Sequence, residues 1–196
     1  MIRGKRELLA HGLYWSGTTF LFDRLPARDM LLVLTYHRIG NPDDDLFDPG
    51  VFSATGDQLN EHISSLKKSH VSLVTLQEAQ AFVAGTLREQ TPRCRVLITF
   101  DDGYEDNFHF ALPLLRQWQA PATFFLTAGY IDRDIRVLEK FSRERCVPVD
   151  DVLPMSWAQA RCMHRCGFNI GAHTYSHRRL SSLDEQEVYD ELADSK

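Results

Sequence analysis

The chain has 196 residues, 43% of them hydrophobic and 25% charged, with a formal net charge of −5. This is ordinary composition for one soluble globular domain with a sizeable core. The acidic balance, with no dense Lys/Arg cluster, argues against a nucleic-acid binder. The four cysteines, Cys94, Cys146, Cys162 and Cys166, do not follow the pattern of a disulfide-stapled small domain.

Residues 1–28 form an N-terminal extension with a basic start (Arg3, Lys5, Arg6) and interleaved leucines and aromatics. Its apolar stretch is broken by Ser16, Gly17, Thr18 and Thr19 and has no small-x-small cleavage site. It therefore reads neither as a secretory signal nor as a membrane span. A helix packed on the domain is expected there, with peripheral contact to an anionic membrane surface as the alternative. The corresponding location is cytoplasmic or peripheral to the membrane.

The remainder, 29–196, alternates strand and helix signals. Leu31–Tyr36 is a strand ending at His37, and Asn41–Gly50 is an acidic loop. Phe52–Lys68 has near-helical apolar spacing. Val71–Val74 is a second strand, and Thr75-Leu76-Gln77-Glu78 is a capping box opening a helix to about Val83. Gly85–Arg93 is a polar connection. Val96–Phe100 is β-branched and aromatic, as a buried strand should be, and ends abruptly at Asp101, Asp102 and Gly103. Two adjacent acids with no base beside them suit a bound cation or one retained proton, although Asp-Gly is also common in plain turns.

Tyr104–Trp118 is helical by pattern, with Pro113 expected to fall early in it or to kink it. Ala122–Thr127 is the next strand. Ile131–Leu153 is charged and weakly periodic, and is expected to be an excursion on the ligand side of the sheet. Ser156-Trp157-Ala158-Gln159 is another capping box, with its helix ending near Gly167. Phe168–Ala172 is a strand running into His173 and His177, four apart, a spacing that fits one side of a helical turn. Ser182-Leu183-Asp184-Glu185 caps the last helix. Cys162 and Cys166 lie four apart beside His164, which makes a second metal site conceivable, with one face of a helix as the favoured plain reading; His11, His62, His70, His109 and His164 read as surface or packing residues.

An acid from one strand end and two histidines from another supply three ligands and leave a coordination position open, as catalytic zinc sites do. A surface His-x-x-x-His is the plain alternative for the second motif. The alternation of elements predicts an α/β class with a mostly parallel sheet.

Thr99-Phe100-Asp101-Asp102-Gly103 and His173-Thr174-Tyr175-Ser176-His177 together resemble the first two motifs of the polysaccharide deacetylase family, the carbohydrate esterases with a NodB-type domain. Pro121-Ala122-Thr123-Phe124-Phe125-Leu126 resembles the family strand between them. The resemblance covers roughly residues 31–196. It implies a distorted (β/α) barrel with a metal at the strand C-termini. It also implies Asp102, His173 and His177 as metal ligands, Asp101 as general base, Tyr104 as a substrate contact, and an N-acetylated polysaccharide or glycan as substrate. The metal implied is one divalent ion, zinc by its ligands, with cobalt, nickel or iron accepted by the same donors.

The chain lacks the family's downstream Pro-Gly segment and late Leu-x-His acid motif, so the domain is expected to be incomplete at its C-terminus. Tyr36-His37-Arg38 resembles the early motif of exopolysaccharide and poly-N-acetylglucosamine deacetylases that look circularly permuted. It implies His37 as general acid. Two other functions stay open: a superfamily amide hydrolase acting on a small or lipid-linked substrate, and a non-catalytic glycan-binding domain.

Overall fold

A computed structural model describes residues 29–40, 52–69, 71–87, 94–146 and 148–196. The N-terminal extension 1–28, the acidic loop 41–50 and most of the polar connection before Cys94 lie outside the described residues.

Five strands form one parallel sheet: β1 (Met30–Tyr36), β4 (Val71–Leu73), β5 (Cys94–Phe100), β6 (Thr123–Leu126) and β7 (Asn169–Ala172). The strand β5 is central and its residues Val96–Phe100 are all buried, which explains its unbroken apolar run. On one side it pairs with β1 along its whole length, from Met30↔Cys94 to Tyr36↔Phe100. On the other side β4 lies along its first half and β6 against its last two residues. The sheet therefore splays around β5, and β7 continues it beyond β6. A separate two-stranded pairing joins β2 (Arg38–Ile39) to β3 (Phe52–Ala54).

Aromatic side chains pin the register. Tyr36, Phe100 and Phe124 are ladder partners on three adjacent strands. Their rings stack, with centroids 5.3 Å apart for Tyr36–Phe100 and 4.8 Å for Phe100–Phe124. A one-residue slip would send these rings to the opposite face, so the row fixes how far each strand extends. On β1 and β5 the residues just past it, His37 and Asp101, emerge at one edge of the sheet.

The helices α1 (Gly56–Lys68), α2 (Leu76–Val83), α6 (Trp157–Arg165) and α7 (Glu185–Ala193) each begin with a reciprocal capping box. The caps Thr75 and Ser156 lie where the sequence puts them. At the last helix the cap is Asp184 with Glu187, two residues later than expected, because Leu180–Ser182 forms its own short turn. At α1 the expected helix start at Phe52 is wrong. Phe52–Ala54 is a strand, and Thr55 with Gln58 caps a helix that begins only at Gly56.

Pro113 falls early in its α-helix, as expected: the backbone first widens into a π-helical turn over Asn107–Ala111, and α3 (Leu112–Gln117) then begins with the proline in its first turn. This places the residue without an N–H where the ladder changes spacing.

The expected excursion after Ile131 is largely helical. The short α4 (Ala128–Ile131) leads into α5 (Ile135–Arg145). Val137, Leu138 and Phe141 make a narrow buried stripe, and Phe141 stacks on Tyr130 at 4.6 Å. The many charges of its outer face mask that stripe in the sequence. Among the described residues, no helix is long and apolar enough to cross a membrane.

Candidate metal centre

The acidic turn sits one residue beyond the aromatic row. The Asp101 amide donates to the Tyr36 carbonyl at 2.9 Å, the last rung between β1 and β5. The Gly103 amide then donates back to the Asp101 carbonyl at 2.9 Å. Asp102, at the apex with φ 72°, therefore occupies a γ-turn of the uncommon positive-φ kind. Aspartate tolerates this region better than most residues. Gly103 is favoured by its backbone, with φ 90°, and a Cβ there would also press on the end of the Ile131 side chain, 2.8 Å from Cδ1. The turn directs the Asp102 side chain inward, where it is fully buried. A buried carboxylate is costly unless it is paired or coordinates a cation.

The two histidines leave the end of β7 beside it. His173 continues the sheet, its amide donating to the Leu126 carbonyl at 2.8 Å. The segment from Thr174 to His177 is not the expected helical turn. Thr174 and His177 both have positive φ, 63° and 55°, so the four-residue spacing works through a looped backbone. It still brings the imidazoles together, with ring centroids 5.1 Å apart. His177 Nε2 lies 3.2 Å from Asp102 Oδ1, and His173 Nε2 lies 3.5 Å from it. One donor atom from each of the three residues lies within 4.8 Å of the others.

Those spacings fit a small divalent ion. Donors held about 2.0–2.1 Å from a tetrahedral zinc stand about 3.3 Å from one another. Both histidine-to-carboxylate distances fall close to that value. Two imidazoles and one carboxylate are also a donor set that leaves a coordination position open. Among the described residues, no cluster of three or more such donors forms at Cys162, His164 and Cys166, whose thiols are free.

Asp101 lies at the mouth of the cluster, half-buried. Burial pushes its carboxyl above the ordinary value, and the nearby His173 and His37 imidazoles pull it back down. His37 follows the last residue of β1 and is thus carried to the same edge. Its amide donates to Ser53 Oγ at 2.8 Å, and its carbonyl accepts from Asn107 Nδ2 at 2.7 Å. Tyr104 is placed differently from the other sequence candidates. It is only 6% exposed, packed edge-on against Tyr130, with the Arg38 guanidinium 5.5 Å from its ring centre. That is the setting of a core residue supporting the turn rather than of a surface waiting for substrate.

Several supporting residues carry no sequence signal. The Thr127 amide donates to the Asp102 carbonyl at 3.2 Å and its hydroxyl to the His173 carbonyl at 3.3 Å, so it ties together the two turns that carry the candidate donors. Asp106 accepts from Arg38 Nε at 2.8 Å and from the Ile39 amide at 3.0 Å, holding the chain just after His37. Each of these contacts joins residues far apart in sequence, and spacing rules do not report on them.

The sequence profile of the polysaccharide deacetylase family matches residues 88–196, more than half of the chain and all of the Asp102, His173 and His177 cluster. The chain belongs to the polysaccharide deacetylase family. The YxkH protein of Bacillus subtilis (strain 168), whose name places it among polysaccharide deacetylases, is 29% identical over 171 residues, 87% of this chain and 51% of the relative. The poly-beta-1,6-N-acetyl-D-glucosamine N-deacetylase of Escherichia coli (strain K12) is 25% identical over 137 residues, 69% of this chain and 20% of the relative. Among solved structures, IcaB from Ammonifex degensii matches with a TM-score of 0.63 at 25% identity, covering 85% of this chain and 66% of that one. The chain thus spans about half the length of the first of these relatives and a fifth of the second. The fold is the α/β fold of this deacetylase family, and the residues matched by the family profile begin after His37.

Proposed function

We propose that the chain hydrolyses N-acetyl groups from the amino sugars of a polysaccharide, using one divalent metal held by Asp102, His173 and His177. The observation that carries this reading is the trio of donor atoms around Asp102 Oδ1, spaced for a small ion, in a chain of the polysaccharide deacetylase family. Zinc suits the donors, and cobalt, nickel or iron would fit them too. Bound there, the ion would act as a Lewis acid toward the acetyl carbonyl and make an adjacent water more acidic.

The chain's own groups supply the proton transfers. Asp101 takes a proton from the attacking water, a role helped by burial that raises its affinity for that proton. His37 gives a proton to the departing sugar nitrogen, so the C–N bond breaks to release a neutral amine. Water adds its oxygen to the acetyl carbon, and the products are acetate and the free amino sugar. The names of the Escherichia coli relative and of a Bacillus subtilis peptidoglycan-N-acetylmuramic acid deacetylase, 24% identical over 118 residues, both specify N-acetylated sugars. The early Tyr36-His37-Arg38 motif favours an exopolysaccharide of the poly-N-acetylglucosamine type.

The test is metal content together with acetate release from β-1,6-linked N-acetylglucosamine oligomers, for the wild-type chain, H173A and H177A. About one ion per chain and acetate release are expected for the wild type, with both lost in each variant. Unchanged metal content in both variants would refute the site.

A further inference from the structure

The backbone that carries His177 is not one that local forces favour. Thr174 and His177 sit in the left-handed region, where side chains with a Cβ are strained. Such a conformation persists only when its surroundings over-determine it. Two charged side chains from distant helices do so here.

Glu191 comes from α7 and is 7% exposed. Its Oε2 accepts from the Tyr175 amide at 3.1 Å and from the Ser176 amide at 2.8 Å. Its Oε1 accepts from the Ser176 hydroxyl. At the next two peptides along the chain, Lys140 of α5 donates to the carbonyls of Ser176 and His177, both at 2.8 Å. The carboxylate takes the loop's donors and the ammonium takes its acceptors. Charge-assisted bonds of this kind are about twice as strong as neutral ones. The loop is held further by the amides of Ala128 and Gly129, which donate to the carbonyls of Thr174 and Tyr175, by the Tyr175 amide, which also donates to the Glu191 main-chain carbonyl, by the His177 amide on Thr174 Oγ1, and by the Tyr175 hydroxyl on Asp134.

We infer that Glu191 is a positioning residue for the metal centre, with Lys140 as its counterpart across the loop. This rests on the reading of Asp102, His173 and His177 as ligands. By fixing the peptides of Tyr175 and Ser176, Glu191 sets where the His177 imidazole stands relative to His173 and Asp102. A metal site demands placement to within about 0.5 Å, and an unrestrained loop of two left-handed residues would not hold it. Glutamine at 191 keeps the shape, an acceptor oxygen for the two amides and an NH₂ that can donate to the Ser176 hydroxyl, but it removes the negative charge that strengthens these bonds.

The experiment measures zinc affinity by competition with a chromophoric chelator, and the visible spectrum of the cobalt-loaded protein, for wild type, E191Q, K140M, V188A and H177A. Thermal stability of each metal-free variant is recorded alongside. V188A truncates a half-buried apolar side chain of α7 and serves as the control for a general loss of helix packing. The expectation is a 10- to 100-fold loss of zinc affinity in E191Q, the usual effect of removing a group that orients ligands. A changed cobalt spectrum should accompany it, K140M should lose affinity in the same direction, and V188A should lose stability alone. Zinc affinity and cobalt spectrum unchanged in E191Q would overturn the inference. Should E191Q fail to fold, unchanged affinity in K140M would overturn it. If wild type and H177A bound zinc equally, the ligand assignment itself would fall, and this inference with it.

Discussion

The Asp101 amide donates to the Tyr36 carbonyl at 2.9 Å, and this single bond joins the two halves of the proposed chemistry. It extends the β1–β5 ladder one step past the stacked Tyr36 and Phe100 rings. The residues that follow, His37 on one strand and Asp102 on the other, must then leave the sheet at the same edge. Parallel pairing makes this automatic, because both strands end in the same direction. Residues far apart in sequence become neighbours through register alone.

The paired acids should separate by role. D101N keeps the side chain's shape but removes its ability to accept a proton at neutral pH, so metal content should stay at the wild-type value while deacetylation falls by roughly 10²–10⁴-fold. D102N replaces the proposed anionic ligand, which is fully buried, and should lose metal as well. Metal analysis and acetate release on the same preparations test both statements. Equal metal content in the two variants would contradict the division of roles.

Gly103 offers a test of the turn itself. With φ at 90° and Ile131 Cδ1 at 2.8 Å from a built Cβ, G103A should be destabilised by about 1–3 kcal/mol through backbone strain and crowding. Thermal or urea melts of the metal-free chain would measure it. A variant as stable as wild type would show that the turn is looser than its geometry implies.

Much of this arrangement was legible in the sequence, and the reasons differ by element. An apolar run that stops at two acids marks a strand end, and the Thr75 and Ser156 capping boxes state helix starts outright. The His173–His177 spacing was informative although its expected geometry was not: the rings meet across a left-handed loop and not along a helical turn. Thr127, Asp106 and Glu191 were invisible because each acts on residues supplied by another part of the chain. Phe52–Ala54 was misjudged because three residues are too few to show a period of two against a longer helical pattern downstream.

Asp134 connects the histidine loop to α5 and makes the fold's stability depend on pH. Its carboxylate accepts from the Arg136 guanidinium at 2.8 Å, from the Arg136 amide at 3.0 Å and from the Tyr175 hydroxyl at 3.1 Å. Bonding to Arg136 holds its pKa well below the ordinary carboxylate range. A group depressed in the folded state stabilises the fold above its unfolded pKa of about 3.9, and that contribution is lost as pH falls toward the folded value. The exposed Arg136 keeps the effect small. D134N, which preserves a good helix cap, should melt below wild type at pH 7, with the gap closing as pH falls below about 4. A gap independent of pH would remove the charge from the explanation.

His37 lies outside the segment matched by the family profile, so its role stands on position and chemistry. Asp106 and Asn107 hold the chain at and just after it through its own carbonyl, Arg38 and Ile39, leaving the imidazole to act at the site edge. A proton donor to the leaving amine need not touch the metal. H37A should therefore retain metal and lower kcat by roughly 10²–10⁴-fold on an N-acetyl amide. An activated ester departs without a proton, so the same variant should lose far less on that substrate. The comparison is made within one protein preparation, which removes differences in folding or metal loading from the ratio. Equal losses on amide and ester would reduce His37 to a structural residue, and the proton for the amine would have to come from elsewhere.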